Sequence, residues 1–235
     1  MPYRLMLSRF IDRIRASPGL ALLVVLAAAA VYAFVELVDE VLEGESRAFD
    51  EWVLQVLRSP GDPGQPIGPW WVETMFVDIT ALGGTTVVTL MTLAVLGYLI
   101  IHGKRHTALL VLVSVAGGAG LSSALKLGFD RPRPDLVAHL VEVQTLSFPS
   151  GHAMASSALA FSAVVICWST RFRWAGVMLA VAYMLVIGFT RLYLGVHYPS
   201  DVVAGWAVSA AWVATMVYAL TYHTTLRKVF RKKRL

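Results

Sequence analysis

The stretch Phe189–Asp201, FTRLYLGVHYPSD, divides two apolar runs, at about 174–192 and 202–222. Each run has about the 20 residues that a membrane-spanning helix needs. Gly195 and Pro199 bracket a turn between them. The seam thus predicts two antiparallel membrane helices joined at one face of a bilayer. Arg191, His197 and Asp201 sit at that seam, where a purely structural connection would not require ionisable groups.

Working outward, four more apolar runs appear, at about 19–38, 80–101, 107–127 and 152–169. The 235-residue chain is 57% hydrophobic and 15% charged, against about 25% charged in soluble domains. Its mean hydropathy is +0.66. The expected fold is all-α, a single domain over 1–235 with six transmembrane helices, since lipid offers backbone groups no other partner outside a closed barrel. The first run, with its small residues in LAAAA, could serve as a cleavable signal. Its length favours a retained helix.

The basic residues orient the bundle. Arg4, Arg9, Arg13 and Arg15 precede the first run; Lys104 and Arg105 follow the second. Arg171 and Arg173 follow the fourth, and the tail carries Arg227, Lys228, Arg231, Lys232, Lys233 and Arg234. All four groups fall on one side of six alternating spans, so that side, with both termini, is expected to be cytoplasmic. The net charge of +5 therefore reads as topology, and no nucleic-acid partner is expected. The lone Cys167 carries no information on redox compartment. The opposite, extracytoplasmic side receives Asp39, Glu40, Glu43, Glu45, Asp50 and Glu51, and the seam itself.

The first outer loop, about 40–79, is long. In RAFDEWVLQVLRS the residues Phe49, Trp52, Val53, Val56 and Leu57 recur at helical spacing, with Asp50 and Glu51 opposite. This predicts an amphipathic helix over 47–58 lying on the outer leaflet. SPGDPGQPIGP then ends any helix, and Trp70 and Trp71 suit the headgroup zone.

Two further outer segments carry chemistry. KLGFDRPRPD places Lys126 at the end of the third run and Arg133 between two prolines that stop the helix. FPSGHAMASS places Ser150 as an N-cap, Gly151 where a ligand could approach the backbone, and His152 at the helix start. Three cations, free helix N–H groups, two imidazoles and one carboxylate thus gather at one membrane face. Two His and one Asp could ligate a metal, but the three cations oppose a divalent ion. A proton relay would want charges along the bundle's depth, and these cluster at one end. A phosphate ester fits: cations and N–H groups stabilise its transition-state charge, one imidazole can attack phosphorus and the other can protonate the leaving oxygen. On that reading Arg191 holds phosphate, His197 attacks and Asp201 orients His197.

Lys126-x6-Arg133-Pro134, then Pro149-Ser150-Gly151-His152, then Arg191-x5-His197-x3-Asp201 resembles the three-part signature of the type 2 phosphatidic acid phosphatase superfamily. The motifs run from 126 to 201, and the six-helix layout extends the resemblance over nearly the whole chain. Thr190 departs from the family's usual Ser before the Arg but keeps a hydroxyl. The resemblance implies a phosphatase that works without a metal or other cofactor, through a phosphohistidine. It makes His197 the nucleophile, Asp201 its orienting partner and His152 the acid and then the base. It assigns Lys126, Arg133, Ser150, Gly151 and Arg191 to the phosphoryl oxygens. The implied substrate is a lipid phosphate in a bacterial cytoplasmic membrane, with the site facing outward. Undecaprenyl pyrophosphate is favoured over phosphatidylglycerophosphate, phosphatidic acid or a lipid A phosphate. Vanadium haloperoxidases share such a pocket but are soluble. A non-catalytic lipid-binding or transport protein on the same scaffold would be expected to lack one of the two histidines. Small residues in AGGAGLSSA and AMASSALA predict close packing of the third and fourth helices.

Overall fold

The computed structural model describes residues 18–232, with side chains described through residue 220 except for residues 18 and 20. The N-terminal arginines and the basic side chains of the tail lie outside the described residues. Among the described residues eight α-helices follow one another: α1 Pro18–Glu43, α2 Arg47–Val56, α3 Trp70–Thr80, α4 Thr85–Ile101, α5 Arg105–Phe129, α6 Gly151–Cys167, α7 Arg173–Tyr193 and α8 Pro199–Lys232. The expectation of helices only is corrected in one place. The Pro/Gly-rich outer loop forms a small antiparallel ribbon, β1 Arg58–Ser59 against β2 Asp62–Pro66.

Among the described residues, four helical stretches are each long and apolar enough to cross a membrane: Ala21–Glu43, Arg105–Phe129, Arg173–Tyr193 and Pro199–Leu220. A fifth arises if α3 and α4, bent by 48° at their junction, count as one. Helix α6, at 17 residues, is shorter. The expected span at 80–101 is therefore corrected. Residues Ala81–Gly83 form a 3₁₀ turn, and Gly84 is extended (φ −73°, ψ 154°), so the run breaks where it was expected to begin. Helix α1 also runs five residues past its expected end and carries Asp39, Glu40 and Glu43 on its last turns.

Helix α6 is the hub, packing on α5, α7 and α8, while α1 lies along α8. Its core face is built of small residues, with Ala153, Ser156, Ser157, Ala158 and Ala160 buried. The hydroxyls of Ser157 and Ser162 bond back to the carbonyls of Ala153 and Ala158, four residues earlier, so they sit inside the bundle without an unmet polar group. Small side chains let helices approach closely. At the α6–α8 crossing a Cβ on Gly205 would lie 3.0 Å from both the Ala153 Cβ and the Ser150 carbonyl oxygen.

The alternation of helices brings the C-terminal ends of α5 and α7 and the N-terminal ends of α6 and α8 to one end of the bundle. Lys104, Arg105, Arg171 and Arg173 lie at the other end.

Candidate active site

Pro199 and Asp201 open α8, and the 194–198 turn holds His197 just ahead of it. Gly195 takes φ +72°, a conformation that glycine adopts without steric cost. His197 is only 2% exposed. Its Nδ1 faces Asp201 Oδ2 at 3.3 Å and Ser147 Oγ at 3.4 Å. Its Nε2 faces Arg133 Nη1 at 3.2 Å. A guanidinium can only donate, so Nε2 is the bare nitrogen and Nδ1 carries the proton toward Asp201. The geometry thus fixes the tautomer with a lone pair at Nε2. Burial, with Arg133 and Arg191 adding to it, pushes the imidazole down to about 3 against the raising effect of Asp201.

Asp201 is fully buried and heavily bonded. Oδ2 accepts from Ser147 Oγ and from the Tyr198 backbone N–H (2.9 Å). Oδ1 accepts from Arg131 Nη1 at 2.6 Å. The Asp201 carbonyl accepts from the Ser150 backbone N–H at 3.0 Å, which ties the second motif to the third.

The cations arrive from three elements. Arg133 is fastened by Thr145, through Nε to the carbonyl (2.6 Å) and Nη2 to Oγ1 (3.1 Å), and by Nη1 to the Val196 carbonyl (2.7 Å). Arg191 is 3% exposed; Nη1 donates to Thr80 Oγ1 at 2.8 Å, while the buried Nε has no hydrogen-bond partner. Lys126, in the last turn of α5, donates to the Leu146 carbonyl and to that of Ser147 (3.4 Å). It therefore braces the loop before α6 as well as facing the site.

Ser150 caps α6, its Oγ accepting from the Ala153 N–H at 3.5 Å. A Cβ on Gly151 would lie 3.9 Å from Lys126 Cε, so the ammonium stem passes beside the helix start. His152 follows, within electrostatic range of Arg191, His197, Arg133 and Lys126. It abuts the α3–α4 break, where a Cβ on Gly84 would lie 3.7 Å from His152 Nε2. The eight residues singled out from the sequence thus converge on one end of the bundle.

Several polar residues at this end belong to no sequence motif. Arg131, two residues before Arg133, reaches Asp201 through Nη1 and Asp50 Oδ2 through Nη2 at 2.9 Å. Asp50 is expected opposite the apolar residues of an interfacial helix, and that polar side proves to be turned into the protein: Asp50 is completely buried, whereas Phe49, Trp52 and Val56 are 59%, 58% and 54% exposed. Helix α2 turns its carboxylate inward and its aromatic residues outward. Thr80 and Ser147 lay in stretches with no motif. Arg58, buried beneath the ribbon, donates to the carbonyls of Leu57, Tyr193 and Ala138 and pins the outer loop to the end of α7.

Known proteins share this frame. A transmembrane PAP2 type phosphatidylglycerolphosphate phosphatase of Bacillus subtilis, solved by crystallography, superposes with a TM-score of 0.72 over 81% of this chain and 93% of its own, at 22% identity. In sequence, phosphatidylglycerophosphatase B of Bacillus subtilis is 27% identical over 144 residues, covering 59% of this chain and 70% of the relative. Decaprenylphosphoryl-5-phosphoribose phosphatase of Mycobacterium tuberculosis is 34% identical over 121 residues, covering 50% of this chain and 64% of the relative. The model of the PAP2 superfamily matches residues 107–225, a stretch that starts two residues into α5 and takes in every charged group around His197 except those of the outer loop. The chain belongs to the PAP2 superfamily.

Proposed function

We propose that this protein hydrolyses a lipid phosphate at the extracytoplasmic face of a bacterial cytoplasmic membrane, through a phosphohistidine at His197 and without a metal ion. Its class, a lipid phosphatase, follows from the superfamily and from relatives named as phosphatases. The observation that carries the mechanism is the bare Nε2 of His197, held by Asp201 on one side and facing Arg133 on the other.

A phosphoryl group entering here takes over the Arg133 N–H and meets the unpartnered Nε of Arg191. Lys126 and the start of α6 at Ser150 and Gly151 supply further positive potential. Nε2 attacks phosphorus, the P–O bond to the lipid breaks, and its electron pair stays on the leaving oxygen, which takes a proton from His152. Water then attacks the phosphohistidine, gives its proton to His152 and releases phosphate as the P–N bond breaks. Lys126, Arg133 and Arg191 supply the charge stabilisation that a metal would otherwise provide.

Six spans complete the picture, with the bent α3–α4 pair and the short α6 as the second and fourth and both termini inside. Helix α2 then lies at the outer interface with Phe49 and Trp52 in lipid. The relatives' named substrates share a lipid-borne phosphate and differ in the lipid, one a phosphatidylglycerophosphate and the other decaprenyl-linked. Undecaprenyl pyrophosphate remains the favoured substrate. A panel of it, phosphatidylglycerophosphate, phosphatidic acid and a lipid A phosphate, assayed in detergent with excess EDTA, tests the reading. Phosphate release from at least one lipid is expected. Activity that vanishes with EDTA and returns with a divalent ion would overturn metal independence.

A further inference from the structure

Asp50 is an anomaly on its own helix. It is the one acidic residue of α2 that is fully buried, and it sits between the exposed Phe49 and the half-buried Glu51. Its Oδ1 accepts from the Ser200 backbone N–H (3.0 Å) and its Oδ2 from Ser200 Oγ (2.5 Å), both at the start of α8. Oδ2 also pairs with Arg131 Nη2 at 2.9 Å. Arg131, stacked over the Tyr198 ring at 4.4 Å, gives its other nitrogen to Asp201 Oδ1 at 2.6 Å and also to Ser200 Oγ at 2.7 Å. The outer-loop helix is therefore wired to the residue that holds the proposed nucleophile.

The charge count gives this wiring a purpose. When Nε2 bonds to phosphorus, the ring of His197 takes on positive charge, and Asp201 is the anion placed to stabilise it. Arg131 alone, bonded to Asp201, would cancel that anion. Two carboxylates sharing one guanidinium leave one net negative charge, because Asp50 takes up part of the Arg131 charge. In a buried site such a balance weighs more than it would in water.

We propose that Asp50 and Arg131 are positioning residues for phosphoryl transfer: Asp50 keeps Arg131 from neutralising Asp201, so that Asp201 stays an effective anion behind His197. This rests on the phosphohistidine reading above. Removing the Asp50 charge should slow the chemical step and leave substrate binding alone. Removing the Arg131 charge as well should restore the net negative charge and recover part of the rate. A network that merely holds the fold together would instead be damaged further by the second change.

The test uses full-length purified enzyme in detergent with EDTA, assayed on phosphatidic acid and on undecaprenyl pyrophosphate. Asp50→Asn should lower kcat at least tenfold with KM within twofold and an unchanged melting temperature. Asp50→Glu, which keeps the charge, should retain at least a third of kcat. Asp50→Asn combined with Arg131→Gln should recover at least threefold over Asp50→Asn alone. Should Asp50→Asn fail to fold, Asp50→Gln against Asp50→Glu makes the same comparison at matched size. Equal kcat in the charged and uncharged variants, or a double variant slower than the single one, would overturn the proposal. Where wild type turns over neither lipid, the same variants are compared on phosphatidylglycerophosphate and the lipid A phosphate; a wild-type enzyme that hydrolyses none of the four would instead fell the phosphatase reading, and this inference with it.

Discussion

A single imidazole illustrates how position decides chemistry here. His197 is buried, and each of its ring nitrogens has a charged neighbour: one faces Asp201 and the other a guanidinium. His197→Ala should lower turnover by about a thousandfold or more in a protein that still folds, as loss of a covalent nucleophile does. Asp201→Asn should cost about a hundredfold or more, since an amide can turn its N–H toward Nδ1 and favour the wrong tautomer. Steady-state kinetics in detergent check both. The pH dependence follows from burial. With the folded imidazole near 3 and the unfolded one at about 6.5, the unfolded chain binds more protons between those values. His197 therefore withdraws stability as pH falls from about 6.5 toward 3 and contributes no slope above that window. Nitrogen-15 histidine NMR of the solubilised protein, with His197→Asn to assign the signal, should show this ring neutral at pH 5; a ring half-protonated near pH 6.5 would contradict it. The sequence disclosed His197, Asp201 and the cations because together they form a complementary set at one membrane face, cations and helix N–H groups beside two imidazoles and a carboxylate. It picked out Arg133 by its spacing from Lys126 and gave Arg131 no role, because the contacts of Arg131 lie 70 and 81 residues away.

Elements carry the next level of control. The α3–α4 break puts Thr80 beneath Arg191 and glycines beside His152, at the point where one unbroken helix was expected. The apolar run was legible, but its break was not, because Gly83 and Gly84 sit among residues that otherwise suit a span. Thr80→Val keeps the shape and removes the oxygen shared by Arg191 Nη1 and Thr190 Oγ1 (2.9 Å). It should lower kcat/KM about tenfold, in line with the roughly 1–3 kcal/mol of a buried donor left unpaired. An unchanged value would show that Arg191 needs no support from α3. Gly205→Ala, crowding Ser150 and Ala153, should lower stability by about 1–3 kcal/mol, read as an earlier thermal transition in detergent. Helix α2 shows a different limit. Its period was readable, and so was the split that sets Phe49, Trp52 and Val56 against Asp50; the burial of Asp50 was not, because its partners Arg131 and Ser200 lie 81 and 150 residues away.

At the scale of the molecule, the alternation of apolar runs and basic loops predicts which ends of the helices meet, and the helix order is compatible with it. Charged residues at four helix ends become one site because each chain reversal returns to the same face. A cysteine introduced at the exposed Glu142, in the loop between α5 and α6, should react with an impermeant maleimide on intact cells; labelling only after permeabilisation would place the site on the cytoplasmic side. The central claim, that phosphorus passes through His197 with no metal, has a direct measurement. Enzyme mixed with a phosphorus-32-labelled lipid phosphate in excess EDTA is quenched within milliseconds in alkali, where phosphohistidine survives, and its peptides are sequenced by mass spectrometry. The account predicts an acid-labile phosphate on the peptide containing His197, absent from His197→Ala. Turnover at the wild-type rate with no such label, or with label on another residue, would contradict it.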